Sequence, residues 1–251
     1  MQSSSVPFSG LRAFSPSVYN ALPAVYDADE ALAAQAERAA FFQEVGDLIC
    51  GHELDAFVGV SLLHKHNTVD DGQVMVEHYD ESRYGRPALV MQRVAWDERP
   101  DRVPVVMKVG DDGASLLPIE HSSIAPARDA YGRLDEKLAV FAPAFCDVVR
   151  KYRFEELIAL CIRRESVIPL ADGEELLERS DVARVANVTT ATTIAPGVRN
   201  VTTTWWFVPS EGGSETRKCN WCREGQKCPP KEGGYDNHAG YSEKTHEAIT
   251  H

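Results

Sequence analysis

The sequence predicts an α+β fold: a mainly antiparallel sheet with helices packed on one face, followed by a small Cys-rich C-terminal unit. Three observations carry this expectation. Apolar residues recur at helical spacing after residue 27 and again after residue 133, whereas the stretches between and beyond them alternate with a period of two. The alternating runs are separated by short segments of turn residues, and short separators favour antiparallel neighbours, because a parallel crossover needs a dozen or more residues. After Val208 the composition shifts to Gly, Pro and charge, which sets off the tail.

Taken in order, residues 1–26 are rich in Ser, Pro and Ala without a sustained period and are expected to form an irregular arm. The main α+β domain is expected over residues 27–209. Its first helix starts at Asp27, where Asp27 and Glu30 have the form of a capping box; Leu32, Ala36, Ala40, Val45, Leu48 and Ile49 continue it, and Gly51 ends it. Strands follow at Ala56–His66, Gln73–Tyr79, Ala88–Val94, Val103–Val109 and Ser115–Glu120. With turn residues such as Asp71-Gly72 and Asp112-Gly113 between them, these runs suggest a meander.

A second helical region is expected from about Arg133 to Arg164, carried by Leu134, Leu138, Phe141, Phe145, Val148, Tyr152, Leu157, Ile158 and Cys161, with a kink or restart near Pro143. A short helix over Gly173–Arg179 precedes two Thr-rich runs, Val182–Thr193 and Val198–Val208, which read as a closing hairpin across Ala195-Pro196-Gly197. No internal repeat is evident. Trp205 and Trp206 are neighbours on a strand and therefore face opposite sides.

Bulk properties narrow the function classes. The chain has 251 residues, 43% of them hydrophobic, and a formal charge of −12. That charge argues against nucleic acids and anionic membranes as partners, leaving a small-molecule substrate or a protein. No stretch approaches the roughly eighteen apolar residues of a membrane span, and the N-terminus lacks a charged start followed by an apolar core, so the expected location is cytoplasmic. Of six cysteines, Cys50, Cys146 and Cys161 sit singly in apolar patterns and read as buried thiols. No phosphate-cradling Gly loop and no G-x-S-x-G elbow is present.

The stretch VGVSLLHKHNTVDDGQVMVEHY, Val58 to Tyr79, holds the candidate site. On a strand His64 and His66 share a face, about 7 Å apart, close enough to converge on one ion. If Asp71-Gly72 closes an even-numbered hairpin loop, Glu77 stands on that same face, with Tyr79 opposite His64 in the two-residue case. An odd loop would present His78 instead. Two His and one carboxylate form a ligand set for iron, copper or zinc that activates dioxygen or water. His121 is a further candidate ligand, and without metal, Glu77 could orient His66 as a general base.

In the tail (residues 210–251), Cys219-x2-Cys222, Cys228 and His238 offer four ligands for a structural zinc. The leading expectation is thus a metal-dependent oxidoreductase or hydrolase using His64, His66, Glu77 and Tyr79. The competing one is a non-enzymatic zinc-binding interaction protein whose Cys-rich tail is the working part.

Overall fold

The computed structural model describes residues 11, 13–96, 101–163, 168–172, 174–181, 183–193, 200–210, 213–218 and 241–242. Three short elements open it: α1 (Pro16–Ala21), α2 (Val25–Ala33) and α3 (Arg38–Gly51). Strands β1 (Val58–Leu62), β2 (Gln73–Asp80), β3 (Ala88–Ala95), β4 (Val103–Val109) and β5 (Leu116–Ser122) follow. Helix α4 (Ala125–Lys151) then leads to β6 (Ile158–Ile162), β7 (Glu175–Asp181), β8 (Ala186–Thr192), β9 (Asn200–Val201), β10 (Thr204–Ser210), β11 (Gly213–Lys218) and β12 (Tyr241–Ser242).

The architecture is mixed α and β, with a mostly antiparallel sheet. Among the described residues its twelve strands run in the order β11-β10-β1-β6-β4-β5-β2-β3-β8-β7-β12-β9, with β2·β5 and β12·β7 pairing in parallel. Laid flat, at about 4.8 Å per strand, the two edges would stand roughly 50 Å apart. Yet β9 lies at one edge, β10 is second from the other, and Thr202 and Thr203 alone connect them, a span of at most about 11 Å. The sheet therefore curls closed into a barrel.

Alternation along the strands then separates an outer from an inner face. Outward residues such as Val58, Val60, Val105, Met107, Ile158, Leu160, Trp205 and Phe207 join one core with α2, α3 and α4. In α4 the buried Leu134, Leu138, Phe141, Phe145 and Val149 recur at three and four residues and supply the helix side of that core. The inward residues Met75, Met91, Val106, Ile119, Ala159, Cys161 and Trp206 form a second cluster, into which α1 and its C-cap insert Tyr19 and Leu22. Helix α1 thus packs against the interior while the longer helices cover the outside.

Among the described residues, two units of the chain repeat one another. Glu53 and Arg153 both take a left-handed φ, at 55° and 59°, just after α3 and α4. The same capping bonds follow each: Leu54 N–H to Ile49 O and Phe154 N–H to Val149 O, then Val58 N–H to Leu54 O and Ile158 N–H to Phe154 O. Further on, VEHYD (76–80) matches LERSD (177–181), and Asp80 caps and pairs with Arg83 as Asp181 does with Arg184. The element order α3-β1-β2-β3-β4-β5 recurs as α4-β6-β7-β8, then β9 with β10, then β11 with β12. Where β4 carries a bulge around Val105, the second unit breaks its strand at Thr202–Thr203. The counterparts Val60 and Leu160 pair with each other in β1·β6, and Val90 pairs with its counterpart Val188 in β3·β8. A pseudo-twofold axis therefore crosses the barrel between these two seams.

Several expectations from sequence are corrected. The repeat, not evident from spacing, is structural. The expected helix from Asp27 to Gly51 is two helices, and α2 begins earlier, with Ala24 at its cap and no side-chain cap bond. The first strand does not reach the histidines: it ends at Leu62. Gly72, at φ 76°, does make a turn, with Gln73 N–H bonded to Asp70 O, but β1 pairs with β6 and β10, not with β2. The meander fails there because β1 finds its partners in the second unit.

Helix α4 runs through Pro143 and stops at Lys151; Leu157, Ile158 and Cys161, expected to be helical, belong to β6 and its approach. Glu175–Asp181 is a strand, not a helix, and β8 pairs with β3 and β7, not with β10 in a closing hairpin. Pairing along the barrel overrides the helical propensity of Glu and Leu here. The sheet also extends past residue 210 into β11 and β12. Trp205 and Trp206 are both buried, on opposite faces.

Candidate functional site in the barrel interior

The loop after β1 carries His64 and His66 over the end of the barrel, where the α1 segment grips it. Tyr19 Oη accepts the His66 N–H at 3.0 Å, and Asn20 makes two bonds to Val69, accepting its N–H at 2.9 Å and donating to its carbonyl at 2.8 Å. Lys65 N–H donates to Pro23 O at 3.0 Å. Every polar backbone group so engaged fixes one point of an otherwise irregular loop.

Inside, the His66 ring lies between two carboxylates. Its Nε2 is 2.8 Å from Glu120 Oε1 and its Nδ1 is 2.9 Å from Glu178 Oε1. Both nitrogens face acceptors, so both carry protons and the ring is an imidazolium. Burial alone would lower its pKa, but Glu178 and Glu120 outweigh that and hold it well above the usual histidine range. The same pairing keeps Glu120 below the ordinary carboxylate range although its burial acts the other way. Glu178 Oε1 also accepts from Asn187 Nδ2 at 2.6 Å, and Asn187 Oδ1 accepts from Asn67 Nδ2 at 3.1 Å.

His64 is the opposite case. Its ring stands 4.8 Å from that of His66, centroid to centroid, and edge-on to it. Its Nδ1 is 2.8 Å from Leu62 O, a partner that only accepts, so the proton sits on Nδ1 and the lone pair on Nε2. Burial, and then the neighbouring His66 cation, push its pKa down to about 4. Two adjacent imidazoles therefore hold different protonation states at neutral pH, one neutral and one cationic.

These side chains line a cavity of about 50 Å³ together with Ser61, Glu77, Cys161, Thr189, Thr203 and Thr204. At about 10–15 Å³ per water, that is room for three or four waters or a ligand of a few heavy atoms. The lining follows the pseudo-twofold axis: Ser61 with Cys161, Glu77 with Glu178, Met91 with Thr189 and Val106 with Thr204 are counterparts in the two units. The histidines break the symmetry. The positions matching His64 and His66 in the second unit are Arg164 and Ser166, which lie outside the described residues.

Of the residues singled out from sequence, His64, His66 and Glu77 line this cavity, though not through a hairpin: Glu77 pairs with Met91 in β3 and Ser122 in β5, and Ser122 Oγ donates to it at 3.1 Å. Tyr79 is 41% exposed on β2, away from the cavity lining. His78 is half-buried and also outside that lining. His121 packs against Phe14 and Trp96 instead. Among the described residues no three His, Cys, Asp or Glu side chains are grouped to hold a metal ion. The two nitrogens of one ring point apart, so in this arrangement Glu120 and Glu178 cannot share an ion with His66. Cys219, Cys222, Cys228 and His238, with the expected zinc, lie outside the described residues.

Sequence reasoning passed over Glu120, Glu178, Asn187 and Tyr19. Glu178 was hidden in a segment that reads as helix, and the match of VEHYD to LERSD was the signal that could have found it. Among the described residues no helix is long and apolar enough to cross a membrane. Comparison with protein-family models, curated proteins and solved structures finds no match.

Proposed function

We propose that the barrel interior is an acid–base site acting on a small polar molecule, with His64 as the general base. The observation that carries this reading is the opposed protonation of two neighbouring imidazoles; environments that split the pKa values of adjacent groups are how enzymes assign base and acid roles. With its proton held on Nδ1 by Leu62 O, His64 stays neutral down to about pH 4. His66, locked between Glu120 and Glu178, has no N–H to offer a ligand; it serves as a fixed positive charge that keeps His64 in its basic form. The hydroxyl-bearing Thr189 and Thr204 supply the polar wall against which a substrate is oriented.

This reading differs from the transition-metal chemistry suggested by the His-x-His spacing, and the engagement of both His66 nitrogens by carboxylates supports it. The test is a screen by proton NMR in D2O of neutral carbonyl compounds and amides of up to about six heavy atoms, following deuterium uptake and hydrolysis. One or more should turn over in the wild type, and His64→Gln should lower that rate by about 10²-fold or more. A rate unchanged in His64→Gln, or restored only by added metal, would sink the proposal.

A further inference from the structure

We propose that Asn187 is a positioning residue: it holds the Glu178 carboxylate against His66 Nδ1, and its presence is what makes Glu178, and not its counterpart Glu77, the carboxylate that grips the imidazolium. The inference rests on the acid–base reading for its effect on turnover alone; the positioning itself stands on the contacts.

The donor and acceptor logic of the chain has one solution. An ionised carboxylate only accepts, so Asn187 must turn its NH2 toward Glu178 Oε1, 2.6 Å away. Its own Oδ1 then faces Asn67 and must receive an N–H, which Asn67 Nδ2 supplies at 3.1 Å. Asn67 directly follows His66, so the relay leaves the loop at His66, passes through Glu178 and Asn187, and returns to the loop one residue later. Asn187 is 2% exposed, where an amide without both partners would cost stability; here both ends are engaged.

The tandem repeat supplies an internal control. Val90 and Val188 are counterparts, so the residue before each is too, and the first-unit counterpart of Asn187 is Leu89. Leu89 pairs with Tyr79 as Asn187 pairs with Ser180, and Glu77 lies two residues before Tyr79 as Glu178 lies two before Ser180. The two units thus share the glutamate and differ in the neighbour that can hold it by an amide. Glu77 is instead bonded by Ser122 Oγ, and it is Glu178 that meets the histidine.

The groups facing the His66 ring are Glu120 from β5, Glu178 from β7 and His64 from its own loop; Tyr19 of α1 accepts the backbone N–H, and Glu77 of β2 lines the same cavity. The experiment is a pH titration of the histidine ring nitrogens by 15N NMR in the full chain. Wild-type His66 should remain doubly protonated well above the ordinary histidine range. In Asn187→Leu, which copies the first unit, its titration should fall by about one pH unit or more, since a charge-assisted donor to Glu178 is gone. Leu89→Asn should leave His66 where it is.

Asn67→Ala removes only the anchor of the Asn187 carbonyl and should give a smaller fall in the same direction; it decides the matter if Asn187→Leu does not fold. An unchanged His66 titration in Asn67→Ala and in any folded Asn187→Leu overturns the proposal. A shifted titration with unaltered turnover keeps the positioning role and removes the acid–base reading instead.

Discussion

Lowering the pH tests the interior most directly, because its histidines titrate in opposite senses. His64 and His121 both have folded pKa values pushed down to about 4, His64 by burial and the His66 cation, His121 by burial and Arg102. Unfolded, each returns to about 6.5. Between those values the unfolded chain binds more protons, so the stability these two groups contribute is whole above about pH 6.5 and is lost as pH falls toward 4. Two groups at about 1.4 kcal/mol per unit each give a limiting slope of about 2.8 kcal/mol per pH unit, and roughly 3 kcal/mol per histidine over the window. His78, also lowered by burial, adds in the same direction.

His66 has the contrary sign. Its folded pKa is raised, so its contribution is complete below about pH 6.5 and fades as pH rises through the folded value, with a slope of about 1.4 kcal/mol per unit. Stability should therefore peak near pH 6.5. Urea unfolding followed by tryptophan fluorescence from pH 4 to 9 gives the curve. His64→Gln should remove about half of the acid slope, His66→Gln the alkaline one. If the His64→Gln, His121→Gln double variant keeps the wild-type acid slope, the assignment of neutral buried imidazoles is wrong.

Other expectations follow from single contacts. Tyr19→Phe keeps the ring in its cluster but leaves the His66 N–H without its acceptor, so it should cost about 1–3 kcal/mol in urea unfolding and accelerate hydrogen exchange at the His66 amide. Gly59→Ala should be severely destabilising in a thermal melt, by about 3 kcal/mol, because the new Cβ would stand 2.4 Å from the Trp205 carbonyl oxygen and 2.3 Å from the Trp206 ring. Asp181 is fully buried and also accepts from Tyr84 Oη, whereas its counterpart Asp80 is more exposed. Asp181→Asn should accordingly cost about 1–3 kcal/mol in chemical denaturation and Asp80→Asn less than about 1.

The alternating runs of the first unit were legible because one face of each strand is apolar: β2, β3 and β4 fall within a residue or so of the segments read from Gln73, Ala88 and Val103. What could not be read was pairing. The Asp71-Gly72 turn exists, but a turn specifies a local reversal and not which strands meet after it, and the neighbours of β1 come from the second unit. Helix α1 was hidden in the N-terminal arm despite a usable signal, Ser15 before Pro16, where the Ser15 side chain accepts from Val18 N–H. In the second unit, LIALC and ELLER carry Leu and Glu at spacings that suit a helix, and only their places in the barrel make them strands.

The site was legible in part for the same reason. His64 and His66 stand out as residue types, and Glu77 as an acid near them. Glu120 and Glu178 reach His66 from β5 and β7, which are joined to that loop by tertiary structure alone. The charge states were beyond spacing altogether, since they depend on which ring nitrogen meets a carboxylate and which meets the Leu62 carbonyl.

The seam that closes the barrel has a consequence for biogenesis. Strand β1 is sandwiched by β6 and β10, so during synthesis it stays unpaired on both edges until the chain has grown past Ile162, and on one edge until it has passed Trp205. Contacts this distant in sequence make for slow folding. A nascent chain arrested between the two units would present β1 as an open, wholly apolar-flanked template, the kind of surface that chaperones bind and that aggregates recruit.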